Sequence, residues 1–463
     1  MTRVAAHLND AGITMYRDGR IVYREPGFAF LDEQRLVTGR QAFDHARIDP
    51  RRVQHRFWSD LVTTPLTDRR FSHMSAADLA SHQLEQMWHT GGDGGTDLVL
   101  AVPAYMSAEN LGLLLGITRE LSIPVAAMVD AGVAATRREY VNAVPVHIDI
   151  SLHATTLTRL AQPGHVQVDR VEVIDDCGIY DLSDTWLTAI AEAFVQQSRF
   201  DPLHTAATEQ MLFNRLTGWL EEAARSDRVH VTLEYRGIGH EADIESLALI
   251  GAAAPYYQRI VSKLRPLFRA EETPAIQVTD RVGRLPGLAD MLKARVGGAL
   301  FVLEPGATAH GALTRSRDLP AAGVDGRISL RRQLPWDQAP ASLKSDVASR
   351  AGAGVPTHLL FGSRAHAIDR APLVLGTQAS DAERGIALGT DMPGISRRHC
   401  LLWQQNGQCV LEDHSRYGTF LNGHRIDGST VLQVGDSVRV GSPGFEFLMI
   451  TTDTADGTQT PDV

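Results

Sequence analysis

The 463-residue chain contains few cysteines, which limits the metal and redox chemistry that it could support. The three cysteines are Cys177, Cys400 and Cys409, an odd number, and none is paired at the spacing of metal ligands. The 18 histidines are scattered and form no His-x-x-x-His pair that a helix could present to zinc. We therefore predict buried, reduced thiols and no structural metal.

The sequence also lacks long apolar runs and an excess of positive charge. No apolar run reaches the roughly 18 residues that a transmembrane helix needs, and Met1–Asp10 has no signal-peptide apolar core. The net charge of -10 argues against broad contact with nucleic acid. These absences predict a cytoplasmic protein that binds neither membranes nor nucleic acid.

The N-terminal part of the chain alternates between strand and helix signals, which is typical of an α/β domain. Asp18-Gly19 is a hairpin signal, and Ser75 and Ser107 precede helical runs as N-caps. The stretch HIDISLHATTLTRL, from His147 to Leu160, predicts a strand, a turn and a second strand. The glycine-rich GGDGG at Gly91–Gly95 precedes a strand and lacks the P-loop lysine, so we interpret it as a connector.

Changes in composition predict where the domains begin and end. The α/β pattern covers residues 1–314. Residues 315–356 are rich in Pro, Ala and Gly, which indicates a linker, with one short ordered piece around Leu330 to Trp336. Short strands with turn signals over residues 357–452 predict an all-β sandwich. Residues 453–463 form a polar tail that we expect to be disordered.

Three motifs occur in order in the C-terminal part of the chain. They read GISRRHCLLW, LEDHSRYGTFLNG and LQVGDSVRVG. Together they resemble the forkhead-associated (FHA) domain family over about Val355 to Thr452. The resemblance implies a β-sandwich whose loops at one end hold a phosphothreonine peptide. A phosphate dianion in such a site requires a fixed cation and neutral hydrogen-bond donors.

The FHA resemblance assigns roles to individual residues. It implies that Ser396 donates its hydroxyl to the phosphate, that Arg397 lies beside it, and that His399 braces the loop. The remaining motif positions match turn-forming residues of the family, and we interpret them as architectural: Asp413, Gly418, Thr419, Asn422, Gly423, Gly435 and Asp436.

Two positions depart from the FHA pattern. Thr377 stands where the family usually has its main phosphate-binding arginine, and Tyr417 stands where an asparagine usually holds the peptide backbone. Arg416, in the same loop, could replace the lost cation. The sequence leaves open whether the sandwich binds a phosphothreonine peptide or docks a partner without phosphate.

The N-terminal part resembles the actin-like ATPase superfamily, and within it the seventy-kilodalton heat-shock chaperone branch. The similarity is strongest over residues 98–140, which include AVPAYMSAENLGLLLGITRELSIPVAAMVDAGVAATRREY. It continues more faintly through GRLPGL and GATAHGAL to about Leu313. The resemblance implies two α/β subdomains around a cleft, with ATP and magnesium at its base.

The same resemblance assigns a nucleotide site with several substitutions. The residues that match or replace the family's site residues are Asp10, Gly12, Thr14, Asp130, Asp149 and Arg284. Ser151, Leu152 and His153 stand where one phosphate turn has glycines, Thr156 replaces a second acidic residue, and Asp280-Arg281 replaces paired glycines. We expect Leu152 to place a side chain where the backbone must approach a phosphate, and Asp280 to bring negative charge near the nucleotide.

These features lead to a hypothesis of a non-catalytic adaptor that has no cofactor. In it, a degenerate actin-like body is coupled to an FHA domain that binds a protein partner. The alternative is an FHA-tethered, chaperone-like ATPase that binds and slowly hydrolyses ATP with magnesium. A third class, an actin-like polymer-forming protein, has no sequence feature for or against it.

Overall fold

The computed structural model divides the chain into two compact units, Met1–Ser342 and Leu343–Val463. The described residues are 2–32, 35–93, 96–269, 271–316, 328–342, 355–361, 364–378, 384–388, 394–421, 424–434, 436–441 and 444–450. The predicted disordered tail, residues 453–463, lies outside them. No helix within the described ranges is long and apolar enough to cross a membrane.

The first unit combines helices and strands, as predicted. Its strands are β1 Thr2–His7, β2 Ile13–Arg17, β3 Arg20–Glu25, β4 Ala29–Leu31, β5 Leu36–Thr38, β6 Val53–Gln54, β7 Thr96–Val102, β8 Val125–Asp130, β9 Tyr140–Val141, β10 Val144–Ile150, β11 Ala154–Ala161, β12 Val166–Asp175, β13 Arg228–Tyr235, β14 Ile238–Glu245, β15 Pro274–Val278, β16 Ala299–Val302, β17 Leu330–Arg331, β18 Gln333–Leu334 and β19 Ala341–Ser342. Its helices are α1 Arg40–Phe43, α2 Ala76–Gly91, α3 Ala108–Glu120, α4 Ala131–Ala135, α5 Ile179–Ser198, α6 Ala206–Ala223, α7 Ser246–Leu264, α8 Leu288–Val296 and α9 Ala307–Arg315. Short 3-10 helices lie at Arg69–Phe71, Arg265–Leu267 and Val282–Arg284.

Two six-stranded sheets of the first unit share the topology of five of their strands, and the sixth strand lies at opposite edges of the two sheets. The strand orders are β17-β8-β7-β1-β2-β3 and β16-β15-β10-β11-β12-β18. In the first sheet, β1, β2 and β3 are antiparallel neighbours, and β7 and β8 add in parallel beside β1. In the second, β10, β11 and β12 form the meander, and β15 and β16 add in parallel. The β1–β2 turn and the β10–β11 turn are therefore topologically equivalent.

Local sequence signals explain how several of these elements begin and turn. Asp18 and Gly19 both have positive φ, 49° and 81°, as a two-residue hairpin turn between β2 and β3 requires. Ser75 caps α2 in a capping box with Asp78, and Ser107 caps α3. The predicted hairpin turn and both predicted N-caps are confirmed. All three cysteines are buried.

Residues 328–342 belong to the sheets of the first unit. Strand β17 pairs in parallel with β8, β18 pairs with β12, and β19 pairs with β9. The structure thus places this piece of the predicted 315–356 linker in the first unit. The short ordered piece expected around Leu330 to Trp336 contains β17 and β18. Two-residue strands are too short to give a periodic signal, so their pairing with the first unit was not predicted.

The second unit consists mainly of strands packed as two sheets. Its strands are β20 His358–Phe361, β21 Arg364–Ala367, β22 Leu373–Gly376, β23 Gly385–Ala387, β24 Cys400–Gln405, β25 Gln408–Asp413, β26 Thr419–Leu421, β27 His424–Arg425, β28 Ser429–Leu432, β29 Ser437–Gly441 and β30 Gly444–Ile450. The two sheets run β21-β20-β30-β29-β26-β27 and β23-β22-β24-β25-β28. Leu359, Leu402, Leu411, Val438 and Phe447 contribute to one buried core from both sheets. This is the predicted all-β sandwich.

A stack of histidine and tyrosine rings packs beside the β10–β11 turn. His153 of that turn lies 4.9 Å from the ring centroid of His55, and His55 lies 4.2 Å from that of Tyr180. The His55 Nδ1 and His153 Nε2 atoms are 3.0 Å apart. Burial lowers the pKa of His55 to about 3 and that of His153 to about 4, and nearby Arg56 reinforces both shifts. Both rings are therefore neutral at pH 7.

The histidine stack predicts that acid destabilises the first unit. A histidine with a lowered folded pKa stabilises the fold above its unfolded pKa of about 6.5, and that stabilisation is lost as the pH falls toward the folded value. Between pH 7 and pH 5, we expect His55→Phe to lose about 1–2 kcal/mol less stability than the wild type. Urea unfolding of the full chain, followed by tryptophan fluorescence, measures this difference.

The comparison between the two proteins cancels a contribution of opposite sign. Burial raises the pKa of Asp10 to about 7, so protonation of this carboxyl stabilises the fold as the pH falls. That effect is common to the wild type and His55→Phe. Equal pH slopes for the two proteins would show that His55 does not carry the acid sensitivity.

Candidate functional site

The β1–β2 turn of the first sheet and residues at the ends of β10, β15 and β16 of the second sheet line one pocket. The pocket is lined by His7, Asn9, Gly12, Thr14, Arg24, Asp149, Thr279, Asp280, Arg281, Leu303, Glu304, Gly306, Ala307 and Thr308. Asp10 is fully buried next to it, within electrostatic range of Asp149 and Arg281. The structure thus brings together four residues of the predicted nucleotide site, Asp10, Gly12, Thr14 and Asp149.

Hydrogen bonds between the two sheets cross this pocket. The Nε2 atom of His7 in β1 lies 3.2 Å from Oδ2 of Asp149 in β10. The Asn9 side chain donates to the Ile150 carbonyl oxygen at 3.1 Å. The Leu152 amide donates to Asp10 Oδ1 at 2.7 Å. Each sheet therefore supplies partners for the polar groups of the other.

The two aspartates have opposite pKa shifts because their partners differ. Burial raises the pKa of Asp10 to about 7, in spite of the Leu152 amide and the Arg281 charge, and its Oδ2 has no hydrogen-bond partner. Burial acts on Asp149 in the same sense, but His7, His147 and Arg281 outweigh it and lower the Asp149 pKa. Asp149 is thus a carboxylate at neutral pH, whereas Asp10 is partly protonated.

The guanidinium group of Arg281 occupies this pocket. Its Nη1 donates to Asn9 Oδ1 at 3.2 Å. Its Nη2 lies only 2.5 Å from where a Cβ on Gly12 would be, so the absence of a side chain at Gly12 makes room for it. Burial lowers the pKa of Arg281, and the charges of Asp149, Asp280 and Asp10 counteract that shift.

The filled pocket does not fit ATP and magnesium. Its free volume is about 20 Å³, roughly what one water molecule requires. Small-molecule sites commonly measure about 300–1,000 Å³. The positive charge that a metal ion would supply beside Asp10 and Asp149 comes from Arg281 instead. A phosphate chain could enter only if this side chain left.

The remaining two residues of the predicted nucleotide site lie elsewhere. Asp130 accepts a hydrogen bond from the Val133 amide at 3.1 Å and so caps helix α4 in the interior. Arg284 is exposed, and its guanidinium is bound by Glu221 at 2.8 Å and by Asp280 at 3.0 Å. Neither residue lines the pocket.

The expectation that the Leu152 side chain obstructs the site is wrong. Leu152 packs in the hydrophobic core of the second sheet, with 4% of its surface exposed. Its carbonyl accepts from the Tyr180 amide at 2.9 Å, and the Ser151 carbonyl accepts from the Ile179 amide at 2.9 Å. These two carbonyl oxygens therefore accept hydrogen bonds from the first two amides of α5. The amides of Ser151, Leu152 and Ala154 are also in use, because they donate to the Ala154 carbonyl oxygen, to Asp10 Oδ1 and to the Ser151 hydroxyl.

Asp280 lines the pocket, so its negative charge lies where the sequence placed it, but that charge is paired. Its carboxylate contacts Arg24 at 2.9 Å and Arg284 at 3.0 Å. The residue that blocks the pocket is its neighbour Arg281. The sequence did contain a signal for this block, because Asp280-Arg281 replaces a pair of glycines with residues that include a long basic side chain. It did not show the direction in which the Arg281 side chain points.

Replacing Arg281 by methionine should destabilise the first unit strongly. The change keeps most of the side-chain volume but removes a buried guanidinium that donates to Asn9 and whose charge acts on Asp10 and Asp149. A hydrogen bond to a charged group contributes about 1.5–3 kcal/mol, and we expect a loss of that size. Arg284→Met, three residues after Arg281, removes exposed ion pairs and should cost about 1 kcal/mol or less. Urea unfolding at pH 7 measures both. Equal losses would contradict the assigned role of Arg281.

The second unit has a loop corner organised by His399. The buried His399 ring accepts from the Ser396 amide at Nδ1, 3.1 Å, and its Nε2 is 3.2 Å from the Gly418 carbonyl oxygen. This pattern requires the proton on Nε2. Burial lowers the His399 pKa, which favours the neutral ring that both contacts need. His399 thus joins the 394–399 loop to the 414–418 loop.

The residues predicted to bind phosphate meet at this corner. The Arg416 amide donates to the Ser396 hydroxyl oxygen at 3.2 Å, and the Thr377 amide donates to the Ser396 carbonyl oxygen at 3.2 Å. Gly376 allows this close approach, because a Cβ there would lie 2.1 Å from the Arg397 carbonyl oxygen. Thr377, Ser396, Arg397 and Arg416 therefore lie together, although they come from three loops.

Four arginines carry positive charge around the corner. Arg397, Arg398, Arg416 and Arg425 are exposed, and within the described residues none of these side chains forms an ion pair. Gly418 has φ of 99°, and the Nε of Arg425 lies 2.8 Å from where its Cβ would be. Arg425 therefore packs over the same loop as Arg416.

The other motif residues are architectural where they are described. Asp413 Oδ1 accepts from the Ser415 amide at 2.9 Å and from the Thr419 hydroxyl at 2.7 Å, which shapes the turn before Gly418. Tyr417 is 59% exposed at the tip of that turn. The motif residues Asn422, Gly423 and Gly435 lie outside the described residues.

Comparisons with known proteins support the assignment of the second unit. The FHA domain family model matches residues 379–441, which include Ser396, Arg397 and Arg416. A search of curated proteins found no match to the chain. The chain thus contains an FHA domain in its strand-rich C-terminal unit, and this domain type mediates protein interactions.

Proposed function

We propose that the protein is a non-catalytic adaptor whose FHA domain binds a threonine-phosphorylated partner. In this proposal, the first unit is a degenerate actin-like body that serves as a scaffold without nucleotide. The observation that carries it is the loop corner, where the Ser396 hydroxyl lies beside Arg397 and Arg416, whose side chains form no ion pair among the described residues.

The corner provides the chemistry that a phosphothreonine requires. A phosphothreonine carries a charge of about -1.5 to -2 and three strong acceptor oxygens. Arginines that already have carboxylate partners would have to give them up, whereas Arg397 and Arg416 are available at once. Arg416 supplies the cation that the family usually takes from the position of Thr377. The hydroxyl of Ser396 supplies a neutral donor, because the Arg416 amide uses only its acceptor side.

The first unit supports a scaffold more than an ATPase. Its two sheets with matching topology agree with the actin-like resemblance, which predicts paired α/β subdomains around a cleft. Arg281 fills the cleft at the position where a nucleotide would need charge and space. The chaperone-like ATPase alternative requires this side chain to leave two buried carboxyl groups, which is costly.

Threonine-phosphorylated peptides from a library are expected to bind the full chain. Their unphosphorylated forms should bind at least about tenfold more weakly, because a charged hydrogen bond contributes about 1.5–3 kcal/mol. We expect Ser396→Ala, Arg397→Ala and Arg416→Ala each to weaken the selected peptides by about tenfold. Fluorescence polarisation with labelled peptides measures these affinities.

Arg370 provides a matched control for the arginine variants. It is exposed, and it precedes β22 at the end where the Gln404 amide contacts the Asp369 carbonyl oxygen at 2.7 Å. Ser396 lies beyond the opposite end of β22 and β24. Arg370→Ala should therefore leave binding unchanged. Selected peptides that bind equally to Ser396→Ala and Arg416→Ala would show that the corner is not a phosphate site.

Calorimetric titration with ATP and magnesium separates the adaptor from the ATPase alternative. Because Arg281 fills the pocket, we expect no binding heat up to about millimolar nucleotide and no release of phosphate. The same preparation should bind a selected phosphopeptide, which shows that the protein is folded. Micromolar affinity for ATP together with turnover would favour the ATPase and would exclude the scaffold role of the first unit.

A further inference from the structure

The segment of this chain that follows the last strand has the composition of a ligand for the FHA corner. Residues 451–463 read TTDTADGTQTPDV, with five threonines, three aspartates and no lysine or arginine. The corner presents Arg397, Arg398, Arg416 and Arg425 without ion-pair partners among the described residues. An acidic, threonine-rich segment and a surface of unpaired arginines are complementary in charge.

We propose that the FHA corner binds its own C-terminal segment when Thr458 or Thr460 is phosphorylated. This inference rests on the proposed phosphothreonine binding and names the ligand for that site. A separate protein kinase transfers the γ-phosphoryl group of ATP to the threonine hydroxyl, which releases ADP and a proton. The resulting phosphate dianion has three strong acceptor oxygens, so it accepts hydrogen bonds from the corner that an unmodified threonine hydroxyl would not form.

The position of the last strand decides which threonines can reach the corner. The corner lies at the Gly441 end of the β29–β30 hairpin, because a Cβ on Gly441 would be 2.9 Å from the Ile395 side chain. Gly441 pairs with Gly444, the first residue of β30. The strand then runs away from the corner to Ile450, six residues later, which is about 20 Å at about 3.3 Å per residue.

To reach the corner, the segment after Ile450 must run back over the same distance of about 20 Å. A fully extended chain spans at most about 3.5 Å per residue. Thr454, four residues after Ile450, reaches at most about 14 Å and falls short. Thr458 and Thr460, eight and ten residues after Ile450, reach about 28 Å and 35 Å. Covalent geometry therefore allows docking within the same molecule only for the two distal threonines.

Docking within one molecule is favoured over capture of a second copy by concentration. A segment joined to its site by a short connection acts at an effective concentration of about millimolar. The segment of a second copy would reach the same concentration at the site only if the protein itself were millimolar. The phosphorylated segment would therefore occupy the corner and compete with any external phosphothreonine partner. This arrangement makes phosphorylation of the segment an off-switch for the adaptor.

The test uses full chains prepared by ligation of synthetic C-terminal peptides. Four versions carry phosphothreonine at 454, 458 or 460, or no phosphate. The probe is a labelled peptide of residues 451–463 phosphorylated at Thr458, and its binding is followed by fluorescence polarisation. We expect it to bind the unphosphorylated chain and to bind the Thr458- or Thr460-phosphorylated chain at least about tenfold more weakly. The Thr454-phosphorylated chain should bind the probe like the unphosphorylated one.

Several outcomes would overturn the proposal. If phosphorylation at 454, 458 or 460 weakens probe binding equally and sedimentation shows dimers, then the segment docks on a second copy. If the probe fails to bind while library phosphopeptides bind through Arg416, the tail is not the ligand and the proposed function stands. If no phosphothreonine peptide binds the chain at all, both proposals fail.

Discussion

The guanidinium of Arg281 is the interaction on which the rest of the first unit depends. It comes from the turn after β15 in one sheet, donates to Asn9 in the other, and occupies the space that a side chain at Gly12 would need. Its charge also acts on the buried Asp149, which His7 already contacts, and on the buried Asp10, whose Oδ2 atom has no hydrogen-bond partner. Because buried charges are stable only when they are paired, this one side chain stabilises the contact between the two halves.

The backbone of the β10–β11 turn is also unsuited to binding a phosphate. Phosphate-binding turns work by pointing several free N–H groups at an anion. Here the Leu152 amide is bound to the Asp10 carboxylate, and the Ser151 amide is bound to the Ala154 carbonyl oxygen. The first amides of α5 are bound by the turn carbonyls. The hydrogen bonds of these turn groups are therefore satisfied within the protein.

Local features of the fold followed from the sequence, and long-range ones did not. The hairpin at Asp18-Gly19 and the cap at Ser75 depend on a few adjacent residues, so the pattern predicted both correctly. The FHA corner was predictable because motif spacing fixes its loops. The direction of Arg281 and the burial of Leu152 depend on residues more than a hundred positions away. A pattern of neighbouring residues in the sequence does not show such long-range contacts.

The contrast between the two units explains why the FHA domain carries the proposed function. Around the pocket of the first unit, several described charged groups have partners: His7 contacts Asp149, Arg24 and Arg284 contact Asp280, and Arg281 donates to Asn9. Binding a ligand there means breaking these contacts first. At the FHA corner, the described arginines hold no such partners, while His399 keeps the loops in place without using them. A preorganised surface with unpaired cations binds an anion at little cost, whereas a paired and filled pocket serves as structure.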